Sequence, residues 1–316
     1  MRLSPRLSAL AACVGGACGM EKSGGDAPGA QGCVVGASDA SKSADDARGM
    51  QDYIADASGK LKSTADVCGM QEMAPAASGT GKIIADVGCD HGLLSCHLAL
   101  QGHTVVAIDC SAASLQKCQR RADTLRLGNL YTLLGDGLTP LQTLCDDAAI
   151  PSSKAANSTP YTGIGNAAAA KIDAVVIAGI GAGGIADILA DAPACCLESR
   201  YILCPSSRPE QLRLALRRMG YGLIDEHLVV EDRRFYPILI AQKGSPWLAP
   251  SLFDLLGPCL LHKREPKLVA LAAHHLRHLQ IARRSMPPAK LRQTQAQLEL
   301  LQRVAQGNWP DMGARD

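Results

Sequence analysis

A chain of 316 residues with 47% hydrophobic content can bury one α/β domain and a smaller partner, and aromatics at only 3% require that core to be aliphatic. The net charge of +2 conceals an asymmetry, because residues 201–316 carry seventeen Lys and Arg against ten Asp and Glu, a net of +7. No apolar run reaches the length of a membrane span or a secretory leader, and the thirteen cysteines contain no C-x-x-C, which argues for free thiols in a reducing cytoplasm and against a disulfide or metal framework.

In chain order, residues 15–79 are rich in Gly, Ala, Ser and Asp, hold nine acidic against five basic residues, and repeat Gly-Met at 19–20, 49–50 and 69–70. Such a composition cannot bury a core and reads as a disordered insertion with short transient helices at most. Lys82 to Gly92, KIIADVGCDHG, is the most informative stretch. Ile83 to Ala85 form a short buried strand closed by Asp86, Gly88 and Gly92 let backbone approach a ligand, and Leu93 to Leu100 read as the following helix. Seventeen residues after Gly92, the strand Val105 to Ile108 ends in Asp109, a carboxylate suited to two ribose hydroxyls.

A helix over Ala112 to Leu127 and a strand over Leu130 to Leu134 lead to Gly135-Asp136-Gly137-Leu138, where Asp136 is suited to accept an adenine amino group. Residues 146–170 read as a loop extension. A fourth strand, Ile172 to Ala178, opens into Gly179-Ile180-Gly181-Ala182-Gly183-Gly184 and a helix at Ile185 to Ala190, and a further apolar run spans Tyr201 to Cys204. Gly-rich loop, acidic strand end and post-strand Asp, in that order, are the cadence of βαβαβ. Cys89, Cys96 and Cys110 fall in elements that read as buried. Ser251 to Gln306 read as two helices broken at Met286-Pro287-Pro288, with Leu291, Leu298, Leu301 and Val304 near a 3.5-residue period. His274, His275 and His278 sit on a helix without a nearby Cys or carboxylate, so no metal site is expected.

Two cofactor classes compete for this pattern. A dinucleotide fold wants G-x-G-x-x-G, so that a helix N-terminus meets a pyrophosphate, but in the first loop the middle glycine is Asp90, whose charge repels phosphate. S-adenosyl-L-methionine carries no phosphate and bears a cationic amine and a sulfonium, so Asp86 and Asp90 suit it. The segment GIGAGG does satisfy the dinucleotide pattern, yet lacks an acidic partner about twenty residues on. In a methyltransferase the same loop presents the acceptor base.

These residues resemble the bacterial tRNA (adenine-22 N1)-methyltransferases, a class I S-adenosylmethionine-dependent family. The family's A-D-I-G-S-D-H-A-x-L is matched by Ala85 to Leu94, with Cys89 for Ser and Gly92 for Ala. Its G-D-G-L is matched by Gly135 to Leu138, and its I-A-G-M-G-G by Ile177 to Ala182, with Ile180 for Met and Ala182 for Gly. Its L-x-P-N is similar to Leu203-Cys204-Pro205-Ser206, with Ser206 for Asn. Leu3 to Leu7 resemble its first helix, and Leu256-Gly257-Pro258 the start of its helical tail.

The resemblance implies a Rossmann-like class I methyltransferase sheet with a coiled-coil-like helical extension, divided as a first helix (1–14), the insertion (15–79), a catalytic domain (80–244) and a helical domain (245–316). It implies S-adenosyl-L-methionine as cofactor, tRNA as partner, and methylation of adenine N1. Cofactor contacts are expected from Asp86, Gly88, Asp109, Asp136, Gly137, Ala178 and Gly179, and substrate contacts from Gly181, Pro205, Ser206, Arg283 and Arg284. Asp90, with His91 beside it, is the candidate catalytic group; Asp90 as helix N-cap or ligand of the methionine amine is the competing reading. A small-molecule methyltransferase, or a nonenzymatic RNA-binding protein on a relic cofactor fold, remains the alternative.

Overall fold

Short apolar runs bounded by glycine and acidic residues become the strands of one sheet, and the segments between them become its helices. The computed structural model describes residues 3–16, 81–142, 171–244 and 249–312, together with the backbone of 53–55 and 61–63. The central strands are β3 (Ile83–Val87), β4 (Thr104–Asp109), β5 (Leu130–Leu134), β6 (Ala174–Ala178) and β7 (Arg200–Cys204), followed by the long hairpin β8 (Tyr221–Glu231) and β9 (Arg234–Lys243). Their order is β5-β4-β3-β6-β7-β9-β8, with β3 to β7 mutually parallel and the last two strands antiparallel. The chain reverses direction across the sheet between β3 and β6, where the carboxyl ends of the strands open a ligand crevice.

Helices cover both faces. α1 (Pro5–Gly15), α2 (Leu93–Leu100) and α3 (Ala112–Thr124) enclose a core with Ile84, Val105, Ala107, Val176 and Ile202. On the other face, α4 (Ala182–Ala190) and α5 (Pro209–Arg218) cover Val106, Ile108, Val175, Ile177 and Leu203. The third helix stops three residues short of the expected Leu127, because Arg126 takes a left-handed φ of 54°. Cys89 and Cys96 are buried as expected, but Cys110 is exposed: it follows Asp109 beyond the end of β4, where the sheet no longer covers the chain.

α1 precedes the long insertion in sequence, yet its Leu10, Ala11, Cys13 and Val14 are core residues, and Lys82 Nζ donates to the Val14 carbonyl at 2.6 Å. Within 15–79, described by itself, β1 (Tyr53–Ala55) pairs antiparallel with β2 (Leu61–Ser63). This differs from the helical tendency expected there: Tyr53 and Ile54 favour extended backbone, and the intervening 56–60 contain Gly59. The remainder of that expectation, and the loop at 146–170, lie outside the described residues.

The tail comprises α6 (Pro258–His262), α7 (Lys267–Arg283), α8 (Pro288–Gln293) and α9 (Gln295–Ala305). The break falls at Met286-Pro287-Pro288 as expected, but the second helix splits again at Thr294, whose hydroxyl donates back to the Lys290 carbonyl and accepts from Arg283 Nη1 at 2.6 Å. Leu301 and Val304 are buried with Leu260, Leu268 and Leu228 of β8, while Leu291 and Leu298 are half-buried. Beneath this core lies a sealed ion pair, Arg213 of α5 with Glu226 of β8 at 2.6 Å, with 1% and 0% exposure. Arg213 also donates to the Asp254 carbonyl, Glu226 accepts from Cys259 N at 2.8 Å, and Gly257 (φ 104°) leaves room for both charged groups.

Candidate active site

The loop after β3 is shaped by backbone bonds before any side chain acts. Gly88 N and Cys89 N both donate to the Ile108 carbonyl of β4, at 2.9 and 3.1 Å. Gly88 (φ 72°) and Asp90 (φ 48°) then turn through left-handed backbone, which a glycine accepts at no cost and an Asp at modest cost. Asp90 N donates to Asp109 Oδ2 at 3.0 Å and Ser111 N to Asp109 Oδ1 at 2.8 Å. Two strand-end elements are therefore held as one unit, with the Asp109 carboxylate braced by two amides.

Asp86 lies beneath this loop, 4% exposed, and its Oδ2 accepts from Ser95 Oγ of α2 at 2.5 Å. Burial raises its carboxyl from the ordinary 3.8 to about 6; the Ser95 hydrogen bond opposes the rise and the neighbouring charge of Asp109 adds to it. No cationic side chain among the described residues is ion-paired with it. Asp90, by contrast, extends into solvent at 73% exposure, with His91 Nε2 3.4 Å from its Oδ1. His91 Nε2 also lies 2.9 Å from Lys117 Nζ, and Arg121 Nε donates to the His91 carbonyl, so α3 steadies the loop from outside.

Two expectations for this loop are corrected. The residue at the helix N-cap position is Gly92, not Asp90, and α2 has no side-chain cap. Gly92 itself does not face a ligand: it is buried, and a Cβ there would stand 2.3 Å from Cys118 Sγ, so this glycine exists to let α3 pack against the loop.

The other side of the crevice is built from β5, β6 and β7. Gly135 N donates to the Asp109 carbonyl, Asp136 is exposed beside Gly137 (φ 55°), and a cavity of about 290 Å³ runs between Asp136, Gly137, Thr139, Ile180, Asp187 and Ile188. Ala178 ends β6; Gly179 N donates to the Cys204 carbonyl, and Ser206 N to the Ile180 carbonyl at 2.9 Å. Gly179 to Ala182 and Pro205 to Ser207 are thus stitched into one rim, with Pro205 buried and Ser206 exposed. The last two glycines of GIGAGG fall inside α4, where a Cβ on Gly184 would meet Ile180 Cγ2 at 2.8 Å; that glycine serves packing. A Cβ on Gly88 would lie 3.6 Å from Ile180 Cδ1, so the β3 loop and the β6 rim face each other across that side chain.

The structure therefore gathers Asp86, Gly88, Asp90, His91 and Asp109 on one side and Asp136, Gly137, Ala178, Gly179, Gly181, Pro205 and Ser206 on the other. Arg283 and Arg284 stand apart at the end of α7. Arg283 is committed within the tail, donating to the Leu291 carbonyl, Thr294 Oγ1 and Gln295 Oε1, whereas Arg284 is exposed. Ser95, Lys117 and Ile180 were not foreseen; a serine in the apolar first turn of α2 was the one available signal. Among the described residues no group of three or more His, Cys, Asp or Glu could hold a metal, and the His274 and His278 rings meet edge to face, their centroids 4.5 Å apart.

Residues 162–306 match the family model for tRNA (adenine(22)-N(1))-methyltransferase, and residues 70–151 match a methyltransferase-domain model. In sequence and fold the chain is similar to this tRNA methyltransferase family. The tRNA (adenine(22)-N(1))-methyltransferase of Bacillus subtilis (strain 168) is 30% identical over 146 residues, which span 42% of this chain and 61% of that relative. M. capricolum TrmK, solved with S-adenosyl-homocysteine, superposes with a TM-score of 0.56 at 19% identity, covering 72% of this chain and 93% of that one. The B. subtilis m1A22 tRNA methyltransferase TrmK superposes at 0.51 and 24% identity, covering 72% and 90%. These superpositions establish the Rossmann-like methyltransferase fold. Where the family motif carries Met, Ile180 supplies the side chain that faces Gly88, and where it carries Asn, Ser206 is an exposed residue.

Proposed function

We propose that this chain is an S-adenosyl-L-methionine-dependent enzyme of the cytoplasm that methylates N1 of an adenine in tRNA, at position 22 by its likeness to the family. The observation that carries this reading is Asp86, a buried carboxylate with a raised pKa, ion-paired with no cationic side chain among the described residues, near the end of the central strand. When bound, the methyl donor supplies an electrophilic methyl group and the positive charges of a sulfonium and an amine. A buried carboxylate welcomes such a group and repels a pyrophosphate. In this reading Asp86 and Gly88 hold the amino-acid part, Asp109 the ribose, Asp136 and Gly137 the adenine, and Ala178 and Gly179 border the reacting centre. Gly181, Pro205 and Ser206 receive the acceptor base, and Arg284 and the basic tail meet RNA backbone.

Adenine N1 presents its lone pair in the ring plane once the base is freed from stacking and pairing, so the chain's tasks are to free, orient and desolvate it. Methylation leaves the ring cationic. Asp90, held on the β3 side of the crevice with His91 beside it, balances that charge. Incubation with labelled methyl donor and unmodified tRNA, followed by digestion to nucleosides, should yield 1-methyladenosine; label in no RNA nucleoside removes the proposal. Asp90→Ala should lower turnover about 100-fold or more while calorimetric binding of the methyl donor persists. Near-normal turnover in that variant takes Asp90 out of the catalytic role.

A further inference from the structure

The β8–β9 hairpin runs well past the catalytic edge. Its last pairing with β7 is Leu203↔Leu239, but β8 and β9 remain paired out to Glu231↔Arg234. Cys204, the last residue of β7, falls opposite Ile238, so four further residues of β9 overhang the carboxyl end of β7, a reach of about 13 Å. The overhang lies on the edge that carries Pro205, Ser206 and the Gly179–Gly181 rim. At its tip Arg233 and Arg234 are exposed, and Asp232 and Arg233 both adopt left-handed backbone (φ 49° and 61°), which makes a tight turn.

Arg6, in the first turn of α1, is fastened to the same overhang. Its backbone N–H donates to Glu231 Oε2 at 2.8 Å, and its guanidinium carbon sits 4.9 Å from the centre of the Tyr236 ring. Its charge reaches the last residue of β7: burial pushes the Cys204 thiol up to about 11, while Arg6 pulls it down and Glu231 raises it. Yet Arg6 Nε is buried without a hydrogen-bond partner, and no carboxylate among the described residues forms an ion pair with the guanidinium. Held by ring stacking instead of by an acid, and with its Nε buried, the guanidinium keeps its two terminal Nη groups as donors for an external anion.

We infer that Arg6, Arg233 and Arg234 form a phosphodiester-binding clamp over the acceptor rim, gripping the backbone of the RNA strand that carries the target adenine. This rests on the proposed function and deepens it by naming where that strand is held. Stacking on Tyr236 fixes Arg6 at the root of the hairpin, while the two tip arginines reach along the strand, so three positive charges follow one edge of the crevice.

The test is the salt dependence of tRNA binding, measured by fluorescence anisotropy. Each lost phosphate contact flattens the slope of log Kd against log salt by about one. Arg6→Gln should flatten it by about one and Arg233→Gln/Arg234→Gln by about two, with tRNA affinity down about tenfold in the double variant and methyl-donor affinity unchanged. An altered helix packing alone would not move that slope. Phenylglyoxal modification of the unmutated protein, read by peptide mass spectrometry, serves if Arg6→Gln fails to fold: tRNA should protect Arg6, Arg233 and Arg234. Unchanged slopes, or modification of these arginines that tRNA does not reduce, overturn the clamp. If the unmutated protein methylates tRNA while the slopes stay unchanged, the clamp alone falls; if it neither binds nor methylates tRNA, the proposed function falls with it.

Discussion

Glu226 and Asp86 are both sealed from water, under opposite electrostatic conditions. Glu226, at the junction between sheet and tail, has a guanidinium at 2.6 Å and a backbone amide at 2.8 Å. Asp86, near the carboxyl end of β3, has the hydroxyl and the backbone amide of Ser95 but no cation, and beside it stands the unfavourable charge of Asp109. The first region is assembled so that its buried charges cancel internally; the second leaves a negative charge waiting for a partner from outside. A buried charge with its counter-ion in the chain maintains architecture, and one without a counter-ion marks where a ligand belongs.

Breaking the first region should have the largest effect. Glu226→Ala strands the Arg213 guanidinium in the interior and should cost about 3–5 kcal/mol, read as a loss in the urea midpoint; a cost below 1 kcal/mol would mean that water reaches the pair. The second region should respond with the opposite sign. Because the folded-state pKa of Asp86 is raised, the folded protein binds more protons than the unfolded chain between about 4 and about 6. Its contribution to stability is greatest below the unfolded value, declines as pH rises through about 6, and then stays level. A rise of about two units corresponds to about 3 kcal/mol. Asp86→Asn should therefore flatten the pH profile of stability between 4 and 6, gain stability at pH 8, and weaken binding of the methyl donor. A variant whose profile still tracks the parent's would show that another group titrates there. Gly92→Ala, behind the same loop, should cost about 2 kcal/mol, from left-handed backbone and contact with Cys118 together. Adding Cys118→Ala should recover only the share due to the sulfur in thermal melts, because the Cβ of residue 118, 2.8 Å away, and the left-handed backbone both remain.

Strand ends were the most readable part of the sequence. An apolar run that terminates in Asp and opens into Gly specifies a buried strand and its loop by local chemistry alone, so Asp86, Gly88, Asp109 and Asp136 could be named with no knowledge of their neighbours. What stayed hidden depends on pairs distant in sequence. Gly92 looked like ligand-facing glycine because nothing local reveals that Cys118, twenty-six residues on, fills the space beside it. Arg283 looked like a free surface charge because its acceptors, Leu291, Thr294 and Gln295, become neighbours only when the chain folds back at Pro287. The split at Thr294 escaped the apolar repeat because a hydroxyl, not a hydrophobic position, causes it.

The hydrogen bond from Lys82 to the Val14 carbonyl carries a lesson about the chain's history of length. The last turn of the opening helix and the residue before the central strand already touch through the Lys82 side chain, so the domain's own core joins the two segments that flank residues 17–80. Loop-closure entropy grows only logarithmically with the number of residues spliced in there. That seam is a natural socket: the domain can accept, shorten or exchange the intervening polypeptide without moving a strand.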